Sequence, residues 1–86
     1  MVEFIIVKKV IDKWDPYGFF KSNVPAPDNE YDIESREICN QITLESTQEY
    51  ISLVIANVFT HAFGQKFIPE HCLVPSIQIY KSLNNK

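Results

Sequence analysis

Apolar residues recur at helical spacing in four stretches of the chain. Phe4, Val7, Ile11 and Trp14 fall three or four positions apart, and Val10 widens their stripe. Lys8, Lys9, Asp12 and Lys13 cover the other side. The pattern predicts an amphipathic helix over residues 2 to 14. The β-branched residues of Val2 to Val7 would also suit a strand, but the stripe continues to Trp14, which favours a helix. Asp15-Pro16 should end it, because the residue before proline is pushed out of the α region. A second helix is predicted over residues 30 to 43. Tyr31, Ile38 and Ile42 make its stripe, Cys39 lies beside it, and Ile33, Glu34 and Glu37 lie off it. Asn29 is its candidate N-cap, with Asp28 or Asp32 reaching the first-turn amides.

The clearest helix is the third. Ser46-Thr47-Gln48-Glu49 reads as a capping box ahead of an apolar run. Over residues 47 to 63, Ile51, Val54, Ile55, Val58, Phe59, Ala62 and Phe63 keep helical spacing. Leu53 broadens that face, which suggests a central, well-covered helix. Gly64 fits the left-handed position that closes it. Pro69 suits the first position of a last segment. There Leu73, Ile77 and Tyr80 make a stripe, with Val74 and Leu83 near it. Pro75 inside that span predicts a kink or two short helices, and Asn84-Asn85-Lys86 should fray.

Residues 16 to 28 connect the first two helices. Connections this long are usually functional or disordered. Ordering one costs about 1–2 kcal/mol per residue in backbone entropy. Burying Tyr17, Phe19, Phe20 and Val24 returns about 1.5–3 kcal/mol each. The second sum is smaller. Order therefore requires backbone hydrogen bonds or docking on Trp14, helped by Pro16, Pro25 and Pro27, which restrict the unfolded chain. Two glycines in 86 residues leave few hairpin turns, which argues against an all-β fold. The prediction is an all-α fold: a single domain over residues 1–86, a small bundle of about four helices with a long ordered loop between helices 1 and 2.

Charge adds an asymmetry. The net charge is −3, which disfavours nucleic acid as a partner. From Asp28 to Glu49 seven carboxylates face one Arg36, a local −6. Residues 50 to 86 hold three lysines against Glu70, a local +2. Such separation can steer a partner or orient a dimer. No apolar run is long enough for a membrane span, and Phe4-Ile5-Ile6-Val7 is too short for a secretory core. A cytoplasmic protein with no membrane partner is expected, with Cys39 and Cys72 reduced.

Few residues carry recognisable chemistry. Asp28, Glu30, Asp32 and Glu34 alternate like an EF-hand loop, but Ile33 stands where glycine is needed and Cys39 where glutamate is needed. A weaker divalent-metal site joining Asp12 or Asp15 to Asp32 is the alternative reading, and with it metal-dependent catalysis by the acidic cluster. Cys39, His61, His71 and Cys72 offer zinc-type ligands without a chelating spacing. No nucleophile elbow, phosphate loop or dinucleotide fingerprint exists, so no cofactor and no enzymatic activity are expected.

The most distinctive stretch runs from Trp14 to Glu34. It holds the one Trp, one of two Gly, three of five Pro and five of eleven carboxylates. Trp14-Asp15-Pro16-Tyr17-Gly18, followed by Pro25-Ala26-Pro27-Asp28-Asn29-Glu30-Tyr31-Asp32-Ile33-Glu34, resembles the YugE-like family, short helical proteins of unknown function from Bacillus-type bacteria. The resemblance implies a small all-α cytoplasmic domain and brings no established activity, substrate or cofactor. It also implies that the two motifs belong together. Trp14 and Tyr31 would then meet, with Asp15, Glu30 or Asp32 bonding loop amides or the indole N–H as a structural clasp. The functional expectation is a non-enzymatic interaction protein, its contact surface formed by Trp14, Asp15, Pro16, Tyr17, Gly18, Glu30, Tyr31, Asp32 and Glu34. A small acidic protein suits a basic protein partner, as in immunity- or antitoxin-like roles. The hydrophobic third helix is also compatible with a homodimer.

Overall fold

One face of each helix closes on a common core in the computed structural model, which describes residues 2–18, 20 and 30–84. Helix α1 spans Phe4–Trp14, α2 Asp32–Gln41, α3 Gln48–Phe63 and α4 Leu73–Asn84, and a 3-10 turn at Pro69–Cys72 leads into α4. The described residues contain no strand. Packing runs round a ring: α1 on α2, α2 on α3, α3 on α4 and α4 on α1. The chain is therefore an all-α bundle with α1 and α3 on the diagonal. Val7, Ile11, Tyr31, Ile38, Ile51, Ile55, Phe59 and Ile79 are fully buried at its centre.

Helix ends follow local chemistry. Asp15 takes a left-handed conformation (φ 46°, ψ 64°) and its N–H donates to the Ile11 carbonyl, which closes α1. Leaving the right-handed region there also avoids the clash with Pro16. Gly64 closes α3 in the same way, at φ 71° with its N–H on the Thr60 carbonyl. The cap of α3 is Thr47, whose hydroxyl accepts from the Tyr50 N–H at 3.1 Å. The cap thus falls one residue later than a Ser46 capping box requires; Ser46 instead accepts from the Thr43 N–H at 2.9 Å. Helix α2 starts at Asp32, after Tyr31. The Asn29 cap, Phe19, Val24, Pro25, Pro27 and the ordering of the connection around them lie outside the described residues.

Helix α4 turns a different face to the core from the expected one. Pro75, Ser76, Ile79 and Leu83 are buried, whereas Leu73, Val74, Ile77 and Tyr80 are exposed. Both sets are helically spaced, so periodicity alone does not choose between them. The choice is made by close contact with α3. The Ser52 hydroxyl donates to the Ser76 hydroxyl at 2.7 Å, and Gln48 Nε2 donates to the same Ser76 oxygen at 3.1 Å. Two small side chains let the helices approach, and their hydroxyls satisfy one another inside. The last segment divides into two short helices, the 3-10 turn and α4, with the break before Pro75. Pro75 is the third residue of α4, where a missing N–H leaves no helical bond unmade. Leu53 is also half exposed, so α3 is less covered than its apolar run suggests.

Candidate functional site

The Trp14–Glu34 motifs meet at the end of α1. Asp15, Pro16, Tyr17 and Gly18 form a tight turn in which the Gly18 N–H donates to the Asp15 carbonyl at 3.0 Å. Proline at its second position is preset for such a turn, and Gly18 ends it at φ 72°, where a side chain would be strained. The left-handed backbone aims the Asp15 side chain inward, where the residue is buried. One carboxylate oxygen accepts from the Tyr31 hydroxyl at 2.6 Å, and the other accepts from the Phe20 N–H at 3.1 Å. The Tyr31 oxygen in turn accepts from the Tyr17 N–H at 3.1 Å. In the chain Tyr17 N–H to Tyr31 O–H to Asp15 each bond polarises the next, and burial strengthens the Tyr31–Asp15 bond. It ties the turn after α1 to the residue that opens α2.

Aromatic rings continue the junction. Trp14 is half-buried, edge-on to Phe59 at 5.4 Å and to Phe67 at 6.3 Å. Tyr31 lies 5.9 Å from Phe59 on another side. Phe59 is the ring on which Trp14 and Tyr31 both bear. Tyr17 packs on Phe63 at 4.5 Å, and its hydroxyl donates to Gln65 Oε1 at 2.8 Å. Burial pushes the Tyr17 phenol above its usual range. Phe67 reaches this cluster because Thr60 Oγ1 accepts from the Phe67 N–H at 2.8 Å and folds the chain back after Gly64.

The acidic residues of the stretch divide between separate tasks. Glu30 is half-buried at the entrance to α2. Asp32 accepts from Lys8 Nζ at 2.7 Å, and the same ammonium serves Asp12 at 2.9 Å. The bond to Asp32 leads the effects that raise the Lys8 pKa. A lysine thus stands between Asp12 and Asp32, where the alternative reading would put a metal. No group of three or more His, Cys, Asp or Glu among the described residues is arranged to hold a metal ion. The Lys8 bond to Asp12 follows helical i,i+4 spacing, but the bond to Asp32, 24 positions away, had no local signal.

Glu34, expected off the buried stripe, is buried, beside a Ser35 hydroxyl with no hydrogen-bond partner. Burial is the main reason its carboxyl titrates above the ordinary 4.5, with the charges of Glu37 and Asp32 adding to it. The native state then binds more protons than the unfolded chain as pH rises through this range. Stability should therefore fall as pH climbs from about 4.5 through the native pKa of Glu34. Glu34→Gln should flatten that slope and raise the melting temperature at pH 7, read by thermal denaturation at a series of pH values.

The thiols are likewise committed. Cys72 is buried, and burial pushes its thiol up to about 11, which opposes formation of the nucleophilic thiolate. The Cys39 thiol donates to the Val2 carbonyl at 3.0 Å. No described helix is long and apolar enough to cross a membrane.

Outside the junction, the exposed apolar side chains concentrate on α4. Leu73, Val74, Ile77 and Tyr80 are 45, 65, 37 and 40% exposed. Beside them a groove of about 420 Å³ runs between α1 and α4, lined by Val10, Lys13, Trp14, Val74, Pro75 and Gln78. Residues 6–80 match a family model described as a domain of unknown function (DUF1871). No curated protein and no solved structure matches the chain.

Proposed function

The chain belongs to the DUF1871 family, a domain of unknown function, and we propose that it is a non-enzymatic helical module that holds a protein partner against the outward face of α4. The observation that carries this reading is the exposure of Leu73, Val74, Ile77 and Tyr80 on one helix. Contiguous apolar surface on a soluble domain is characteristic of interaction sites. The polar groups of the Trp14–Glu34 junction support the same reading from the other side. Asp15 and Tyr31 spend their hydrogen bonds on each other and on the turn, which suits a scaffold better than a contact surface. On this reading the protein acts in the cytoplasm, as a YugE-like protein of a Bacillus-type bacterium would.

Val74→Asp with Ile77→Asp tests it. Val74 is mostly exposed and Ile77 about a third exposed, so the double variant should stay folded at a cost of about 1–2 kcal/mol. Protein cross-linked to the wild-type module in cells should be lost from the variant at equal expression. Undiminished recovery by the folded variant would overturn the reading. Charge reversal at Asp32 or Glu34 is a poor test of contact, because one is paired with Lys8 and the other is buried.

A further inference from the structure

We propose that the segment seated on this face is an acidic amphipathic α-helix, lying along α4 and over the α1–α4 groove. The inference rests on the interaction reading above and adds the chemistry of the partner. Val74 belongs both to the exposed face and to the groove, so the two form one surface. Its floor is apolar, from Val10 and Trp14 on one side to Val74 and Ile77 on the other. On α1 and α4 its unpaired charges are of one sign. Lys13 lines the groove. Lys9 precedes Lys13 by one turn, and Lys81 follows Ile77 by one turn, all three exposed. Helix α4 contains no carboxylate. The one carboxylate of α1, Asp12, is held by Lys8. Among the described residues no carboxylate pairs with Lys9, Lys13 or Lys81.

Lys13 in the groove, with Lys9 and Lys81 exposed on the two helices that form it, selects a partner with carboxylates beside its apolar stripe, since complementary charge both steers encounter and sets register. A helix is the shape that fills a groove between two helices, presenting apolar residues at i, i+3 or i+4, and i+7. The 12 residues of α4 extend over about 18 Å at 1.5 Å per residue, which matches a segment of about three turns. The face is also graded. At its Leu73 end, Glu49 and Glu70 line a cleft of about 270 Å³ together with Leu73. An anionic lipid surface would meet those two carboxylates as well as the lysines, whereas a helix can place its acids opposite the lysines alone.

The probe is a displayed library of short helical peptides with a fixed Leu/Ile stripe and flanking positions randomised between Glu and Lys, selected on the full chain. Glu should be enriched at the flanks. Trp14, the one Trp of the chain, lines the groove and should change its emission on titration with a selected peptide. Lys13→Glu with Lys81→Glu should weaken binding by ~tenfold or more, and added salt should weaken it further. Lys13→Gln with Lys81→Gln should lie between. Enrichment of Lys, absence of charge preference, or no selected peptide would overturn the proposal. So would phosphatidylserine vesicles that bind through Lys13 and Lys81, or a concentration-dependent dimer abolished by Ile77→Asp. Failure here with Ile77-dependent cross-linking intact would leave the interaction reading standing. Loss of both would remove both.

Discussion

Replacing Tyr31 with phenylalanine should lower the free energy of unfolding by about 2–4 kcal/mol, the loss of a hydrogen bond to a charged group plus a stranded amide. The ring stays, so its contact with Phe59 is kept and the change isolates one oxygen. That oxygen donates to Asp15 at 2.6 Å and accepts from the Tyr17 N–H at 3.1 Å. Removing it takes a donor from a buried carboxylate and an acceptor from a turn amide. A chain of this size has only about 5–10 kcal/mol of total stability, so the variant should unfold at visibly lower urea. Tyr17→Phe makes the contrast. Its hydroxyl bonds Gln65 at the surface, and its removal should cost about 0.5–1 kcal/mol. Urea denaturation of the two variants checks the order.

Phe59→Ala should be more damaging still, at about 3–5 kcal/mol. Phe59 is fully buried and touches four other rings, Trp14, Tyr31, Phe63 and Phe67. Those rings come from the end of α1, the start of α2, the end of α3 and the segment before the 3-10 turn. The cavity would open where these elements meet, and the aromatic neighbours cannot all collapse into it. Trp14→Ala should cost less than Phe59→Ala, because Trp14 is half-buried and its loss widens a groove that already exists. Thermal melts of the two variants give the comparison. A Phe59→Ala protein within a few degrees of wild type would show that the junction is not packed around that ring.

Much of the fold was legible in the amino-acid sequence where local chemistry decides. Asp15-Pro16 and Gly64 end their helices through backbone conformations that few other residues adopt. Tyr31, Ile38 and Ile42 lie in the core as their spacing requires. Local chemistry failed on α4, whose residues are apolar on two sides. There the buried face is set by the Ser52–Ser76 contact, a meeting of residues 24 positions apart. Glu34 failed for the same reason: a carboxylate next to Ser35 and Asp32 reads as surface, and only packing against other helices buries it. At the junction the residues stood out by composition, but the atom pairing did not. The sequence left open which acid would bond which donor. The left-handed turn at Asp15 decides it by aiming that carboxylate at Tyr31 and at the Phe20 N–H.

Asp15 and Tyr31 act together to close α1 onto α2. A double-mutant cycle on this pair tests that most directly. Asp15→Asn keeps a residue that tolerates the left-handed backbone, and Tyr31→Phe removes the hydroxyl alone. Urea unfolding of the wild type, both single variants and the double variant should give a coupling of about 1–3 kcal/mol. Losses that add to within about 0.5 kcal/mol would show independent residues and contradict the clasp.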